Sequence, residues 1–183
     1  MALLGVVAGV LGACSGGTGI EDLATVTIDR TPPGFLLIEE QFGPFDLDGY
    51  VERFSTSPDK DREELAEAGL ERGYGRGWVN GQGTALVAFV FEVRGAAEAD
   101  RLLDYFVHDA TTVREARKWD AEGIEGAEGL TYTETSAEGA QGVHSVLFAR
   151  SRRMYLTASQ HAEPNAGRET ILAFARAQDL IAR

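Results

Sequence analysis

Alternating apolar and polar positions are densest between residues 72 and 94. Over Thr84 to Arg94, Ala85, Val87, Phe89, Phe91 and Val93 fall on one face of a strand, and Leu86, Ala88 and Val90 on the other. Apolar side chains on both faces mark a central strand. Tyr74 to Asn80 precedes it and Gly81-Gln82-Gly83 turns the chain, so the two read as a hairpin. Helical spacing takes over on either side. Leu47, Tyr50, Val51 and Phe54 predict a short helix within Phe45 to Phe54. Ser57 at the N-cap, Pro58 at the first position, and Asp59 and Asp61 in the first turn predict another, ending near Gly69 or Gly73. Ala96, Ala99, Leu102, Leu103 and Phe106 give a third, running to about Ala116.

Phe35 to Ile38, Leu130 to Ser136, Val143 to Arg150 and Met154 to Gln160 read as further strands, with Trp119 to Gly129 as a Gly- and Glu-rich loop. A closing helix after Pro164 carries Ile171, Phe174, Ala175, Gln178 and Ile181 on one face. The order β-α-α-β-β-α-β-β-β-α is dominated by hairpins and demands no crossover. It therefore predicts the α+β class, a twisted antiparallel sheet flanked by helices. Residues 73–94 and 129–150 echo one another as glycine, strand, turn, strand and arginine, a pattern that two similar hairpins also produce.

The N-terminal segment breaks this patterning. Met1 to Ala13 is uncharged, with Leu3, Leu4, Val6, Val7, Val10 and Leu11, too short a run to span a bilayer but suited to a signal peptide. It ends in Leu11-Gly12-Ala13-Cys14, followed by Ser15-Gly16-Gly17-Thr18-Gly19. This resembles a bacterial lipobox, which implies cleavage before Cys14 and lipid attached to its thiol. No basic residue precedes Cys14, a departure from the usual leader that a start codon set inside a longer leader accounts for. The expected organisation is a signal peptide at 1–13, the lipidated cysteine and a flexible tether at 14–34, and a single domain at 35–183.

Composition narrows the function. The 183 residues carry 17 basic against 29 acidic side chains, net −12, so phosphate backbones are repelled and nucleic acid is not an expected partner. The one dense basic cluster, Arg150, Arg152 and Arg153, reads as a hairpin turn. Cys14 is the only cysteine, so no intrachain disulfide is possible and lipidation accounts for the thiol. Arginine-dominated basic residues and abundant Ala and Gly suggest a high-GC bacterial genome.

The segment Ala68-Gly69-Leu70, then Gly73-Tyr74-Gly75-Arg76 and Trp78, and the ending Leu172-Ala173-Phe174-Ala175-Arg176-Ala177-Gln178 resemble actinobacterial cell-envelope lipoproteins of unassigned function. The resemblance covers most of residues 35–183. It implies a fold similar to Mog1/PsbP-like lipoprotein domains and an extracytoplasmic, membrane-anchored location, and it carries over no catalytic residue.

Catalytic and metal-binding patterns are weak throughout. No Gly-x-Ser-x-Gly elbow occurs, and Ser145 beside His144 cannot form a dyad because strand neighbours face opposite ways. His108, His144 and His161 are distant in sequence and lack a ligand spacing. Asp46-Leu47-Asp48-Gly49 fits a helix start better than a calcium loop, and Gly73-x-Gly75-x-Gly77 leads into a strand, where close packing explains it better than a phosphate cradle. Glu39-Glu40, Glu63-Glu64 and the acidic stretch Asp120 to Glu128 read as solvated. Trp78, near Tyr74, and Trp119 fit the sheet–helix core better than a binding edge. No cofactor is implied. The expected function is a non-enzymatic envelope lipoprotein that binds a protein partner. The alternative is a carrier of a lipid or other apolar ligand, with a pocket lined by Phe89, Phe91, Phe106 and Phe174. A hydrolase comes last.

Overall fold

The computed structural model describes residues 20–38, 40–136, 139–162 and 167–183. Cys14, the leader and Glu39 lie outside them. The central hairpin expected from the alternation is the middle of the molecule: β3 (Arg72–Asn80) pairs antiparallel with β4 (Ala85–Glu92), and every residue of β4 is buried. The other edge of β4 pairs with β8 (Arg153–His161), so both faces and both edges of this strand are covered. From β8 the sheet continues through β7 (Gly139–Arg150) and β6 (Glu128–Ser136) to β5 (Arg117–Asp120). Beyond β3 lie β1 (Phe35–Leu37) and β2 (Gly43–Phe45), each paired antiparallel with a different stretch of it. The result is an α+β fold with an open, antiparallel eight-stranded sheet among the described residues.

Period-two alternation divides the core into two layers. On one face, Val87, Phe89 and Phe91 meet α2 (Leu47–Phe54), α3 (Pro58–Glu67) and α4 (Ala96–Val113). On the other, Trp78, Leu86, Ala88 and Val90 meet α1 (Ile20–Thr25) and α5 (Arg168–Ala182). Asp46 starts α2 by accepting a hydrogen bond from the Gly49 amide at 2.8 Å, the helix-start reading of that acidic turn. Ser57 occupies the N-cap of α3, but its side chain makes no capping bond. Gly73, Gly75 and Gly77 turn one bare face of β3 toward the rings of Phe45, Phe89 and Phe42 respectively, where a Cβ would collide. The glycines serve packing.

Two expectations are corrected. The tether does not extend to residue 34, because Ile20–Thr25 is helical and Leu23, 1% exposed, packs with Ile28 beside Trp78. A polar clamp fixes this segment: Gln178 on α5 accepts from the Ile28 amide at 2.8 Å and donates to the Val26 carbonyl at 2.7 Å. Residues 119–129 are not simply a solvated loop either. Trp119 and Asp120 belong to β5, and Ala121 and Ile124 are buried against the α5 side.

Candidate functional site

Register in the sheet creates a dent under α4. Leu130, Ser145, Ala158, Val87 and Gly77 lie in one row across five strands. The ring of Phe42 covers Gly77. Ser145 and Ala158 are too short to reach the helices, and a cavity of about 40 Å³ remains above them. That volume suits a few water molecules or one small polar head. Tyr50, Asp61, Phe106 and Asp109 from the helices form the roof, while Leu130, Tyr132 and Leu147 complete the floor.

The polar groups here come from three elements. Asp61, in the first turn of α3 as expected, is buried and accepts from the Tyr105 hydroxyl and, at 2.6 Å, from Ser55 Oγ. One turn after Tyr105 on α4, Asp109 takes the Lys60 ammonium at 2.9 Å, a bond that raises the Lys60 pKa above its ordinary value. Arg114 ends α4 at the cavity mouth. It donates to Thr56 Oγ1 at 2.8 Å, stands 5.5 Å over the Tyr132 ring, and lies 3.9 Å from Asp109 and 3.6 Å from Glu134. Burial pushes the Tyr132 hydroxyl up to about 12, so it stays protonated near neutrality. Outside Arg114 and Tyr132 an open cleft of about 300 Å³ continues between Val113, Glu115 and Glu134. Glu115 adopts φ 55°, an uncommon conformation for a residue with a side chain.

The walls carry Asp61, Asp109, Glu115 and Glu134 beside Lys60 and Arg114. Ser145 faces the cavity, whereas His144 lies on the opposite face with Thr131 Oγ1 2.9 Å from its Nδ1, so the two form no dyad. Among the described residues no group of three or more His, Cys, Asp or Glu side chains could hold a metal ion.

The structure also rearranges other residues singled out by sequence. His144 and His161, distant in the chain, bring their rings to 6.1 Å, while His108 is exposed on α4. Trp78 is fully buried edge-on to Phe174, with centroids 5.3 Å apart. Trp119 is half-buried over Gly129, and the Arg168 guanidinium stands 4.4 Å from its ring. The pocket expected from Phe89, Phe91, Phe106 and Phe174 does not assemble, because Phe174 lies across the sheet from the other three. Phe89 and Phe91 pack instead with Phe45, Tyr50 and Phe54. The basic cluster is structural. Arg152 and Arg153, with Arg72, surround Glu92, and Arg150 binds Asp179.

No protein-family model matches the chain, and neither does any curated protein sequence. Among solved structures, the chain is similar to the extracellular domain of PknH from Mycobacterium tuberculosis. The TM-score is 0.55 at 11% identity, over 90% of this chain and 96% of that one. At that identity the likeness is one of fold.

Proposed function

We propose that the chain is a non-enzymatic lipoprotein of the bacterial cell envelope, related to the Mog1/PsbP-like lipoprotein domains. In this reading lipid on Cys14 holds it on the extracytoplasmic face of the membrane, where it binds a protein partner. The observation that carries the reading is the fold likeness to an extracellular domain over 90% of the chain. It agrees with the apolar leader and the small residues before Cys14. No helix among the described residues is long and apolar enough to cross a membrane, and the lipid supplies the attachment. The separation of Ser145 from His144 across the sheet favours binding over hydrolysis.

The test is expression with a complete leader in a host that processes lipoproteins. The chain is expected to partition into detergent, and Cys14→Ala to leave an unprocessed, unlipidated form. Identical processing and partitioning of the two chains would reject the anchor. Crosslinking on intact membranes is expected to join the wild-type domain to one recurring envelope protein.

A further inference from the structure

The folded domain begins closer to Cys14 than the sequence pattern implies. Helix α1 starts at Ile20 and is held to the core through Leu23, so only residues 15–19 intervene. Whatever their conformation, the six Cα–Cα steps from Cys14 to Ile20 span at most about 22 Å. A compact domain of this length has a radius of gyration of about 15 Å, which makes it about 40 Å across. With lipid on Cys14, the premise of the proposed function, the α1 side must therefore lie toward the bilayer. The layer of α2, α3 and α4 is on the other face of the sheet and cannot reach it.

Apolar side chains stand exposed beside α1. Gln178 of α5 bonds to Val26 and Ile28, so the last turn of α5 neighbours the chain leaving α1. In that turn Leu180 is 74% exposed and Ile181 37%. The inner face of α5 already packs on the sheet through Ile171, Phe174 and Ala175, and Leu180 is not part of that core. Arg176, one turn earlier, and Arg183 are exposed cations on either side, an arrangement common at a membrane interface. Glu21 and Asp22 of α1 carry the opposite sign, so apolar contact rather than charge has to drive any seating there.

We propose that Leu180 and Ile181 seat the domain on the headgroup region of the lipid bilayer and turn the α4 face outward, toward the partner. Apolar side chains of an interfacial helix reach about 5–10 Å into that region. Two such side chains are too few to hold a protein on a membrane alone. The lipid on Cys14 makes their contact intramolecular, so they need supply only the orientation.

The experiment couples the chain from Cys14 onward, which contains every described residue, to a maleimide-headgroup lipid through Cys14, its only thiol. The lipid sits in phosphatidylcholine–phosphatidylglycerol nanodiscs doped with a gadolinium-chelate lipid, and methyl resonances report the approach of each side chain. Loss of signal is expected first at Leu180 and Ile181. Val113, 65% exposed on α4 across the sheet, is expected to keep its signal. Leu180→Glu, at an exposed position, should leave the fold and the coupling intact and restore the Ile181 signal. Strongest loss at any other methyl, equal loss at Val113, or an Ile181 signal unaffected by Leu180→Glu would overturn the proposal; the last would mean that the tether alone brings this side near. Because coupling replaces cellular lipidation, an unmodified Cys14 in the native protein would reject the anchor without altering this readout.

Discussion

Phe89 shows what a single side chain contributes here. Its ring is 4.9 Å from Phe54, 5.9 Å from Phe42 and 6.1 Å from Phe45, in the middle of a filled aromatic layer. Phe89→Ala should therefore cost about 3–5 kcal/mol in a denaturant melt, a large share of an ordinary domain's stability. A near-wild-type melt, together with saturable binding of a fluorescent fatty acid by the parent protein, would restore the carrier reading. Partly buried His161 and fully buried Glu92 shift the response to acid. His161 lies below its ordinary 6.5 because burial, and then the neighbouring His144, disfavours the imidazolium. The unfolded chain thus takes up this proton first, and the stability, complete above pH 6.5, is lost as pH falls from there through the lowered value. Burial alone would raise Glu92, but hydrogen bonds from Arg153 and Arg72 outweigh it and hold the carboxyl below its ordinary 4.5. Its contribution is present above that value and is lost as pH falls through the depressed one. Melting temperatures measured between about pH 8 and pH 3 should fall in two steps. His161→Gln should remove the first and Glu92→Gln the second. A single unchanged profile in both variants would contradict these assignments.

Among the elements, those with long, regular apolar patterns are legible in the sequence. The β3–β4 hairpin, α4 and α5 each repeat their period over eight or more residues. Strands β2 and β5 have three and four residues, too few for a period to register, and both are edge pieces recruited by a longer neighbour. Helix α1 escapes the pattern for a different reason. Its segment is rich in polar residues and leads to Pro32-Pro33-Gly34, a local signature of a loop. It is held by Gln178, 150 residues beyond Ile28. No local pattern carries that contact. The cavity is equally hidden, because it depends on Ser145 and Ala158 falling opposite one another between β7 and β8. If α1 is part of the domain, the Ile28 amide should be protected from hydrogen exchange as well as the strands are. Gln178→Ala should expose it selectively, leaving β4 and β8 protected. Free exchange at Ile28 in the wild-type chain would return this segment to the tether.

For the whole molecule, one sheet is covered on both faces, with α2, α3 and α4 on one side and α1 and α5 on the other. Buried carboxylates join the parts: Glu92 of β4, fully buried, is surrounded by Arg72 of β3, by Arg152 and by Arg153 of β8, and Asp179 ties α5 to Arg150 of β7. The domain carries a small cleft between the end of α4 and β6, lined by Glu115 and Glu134 with Arg114. Its α+β class follows from the hairpin-rich element order, whereas its proposed location leans on thirteen residues of leader and the one cysteine after them. The most direct test of the central claim is the intact mass of the mature protein extracted from its native membrane. The expected chain begins at Cys14 and carries the mass of attached lipid. A mature chain with an unmodified Cys14 thiol would contradict the lipid anchor and the location built on it.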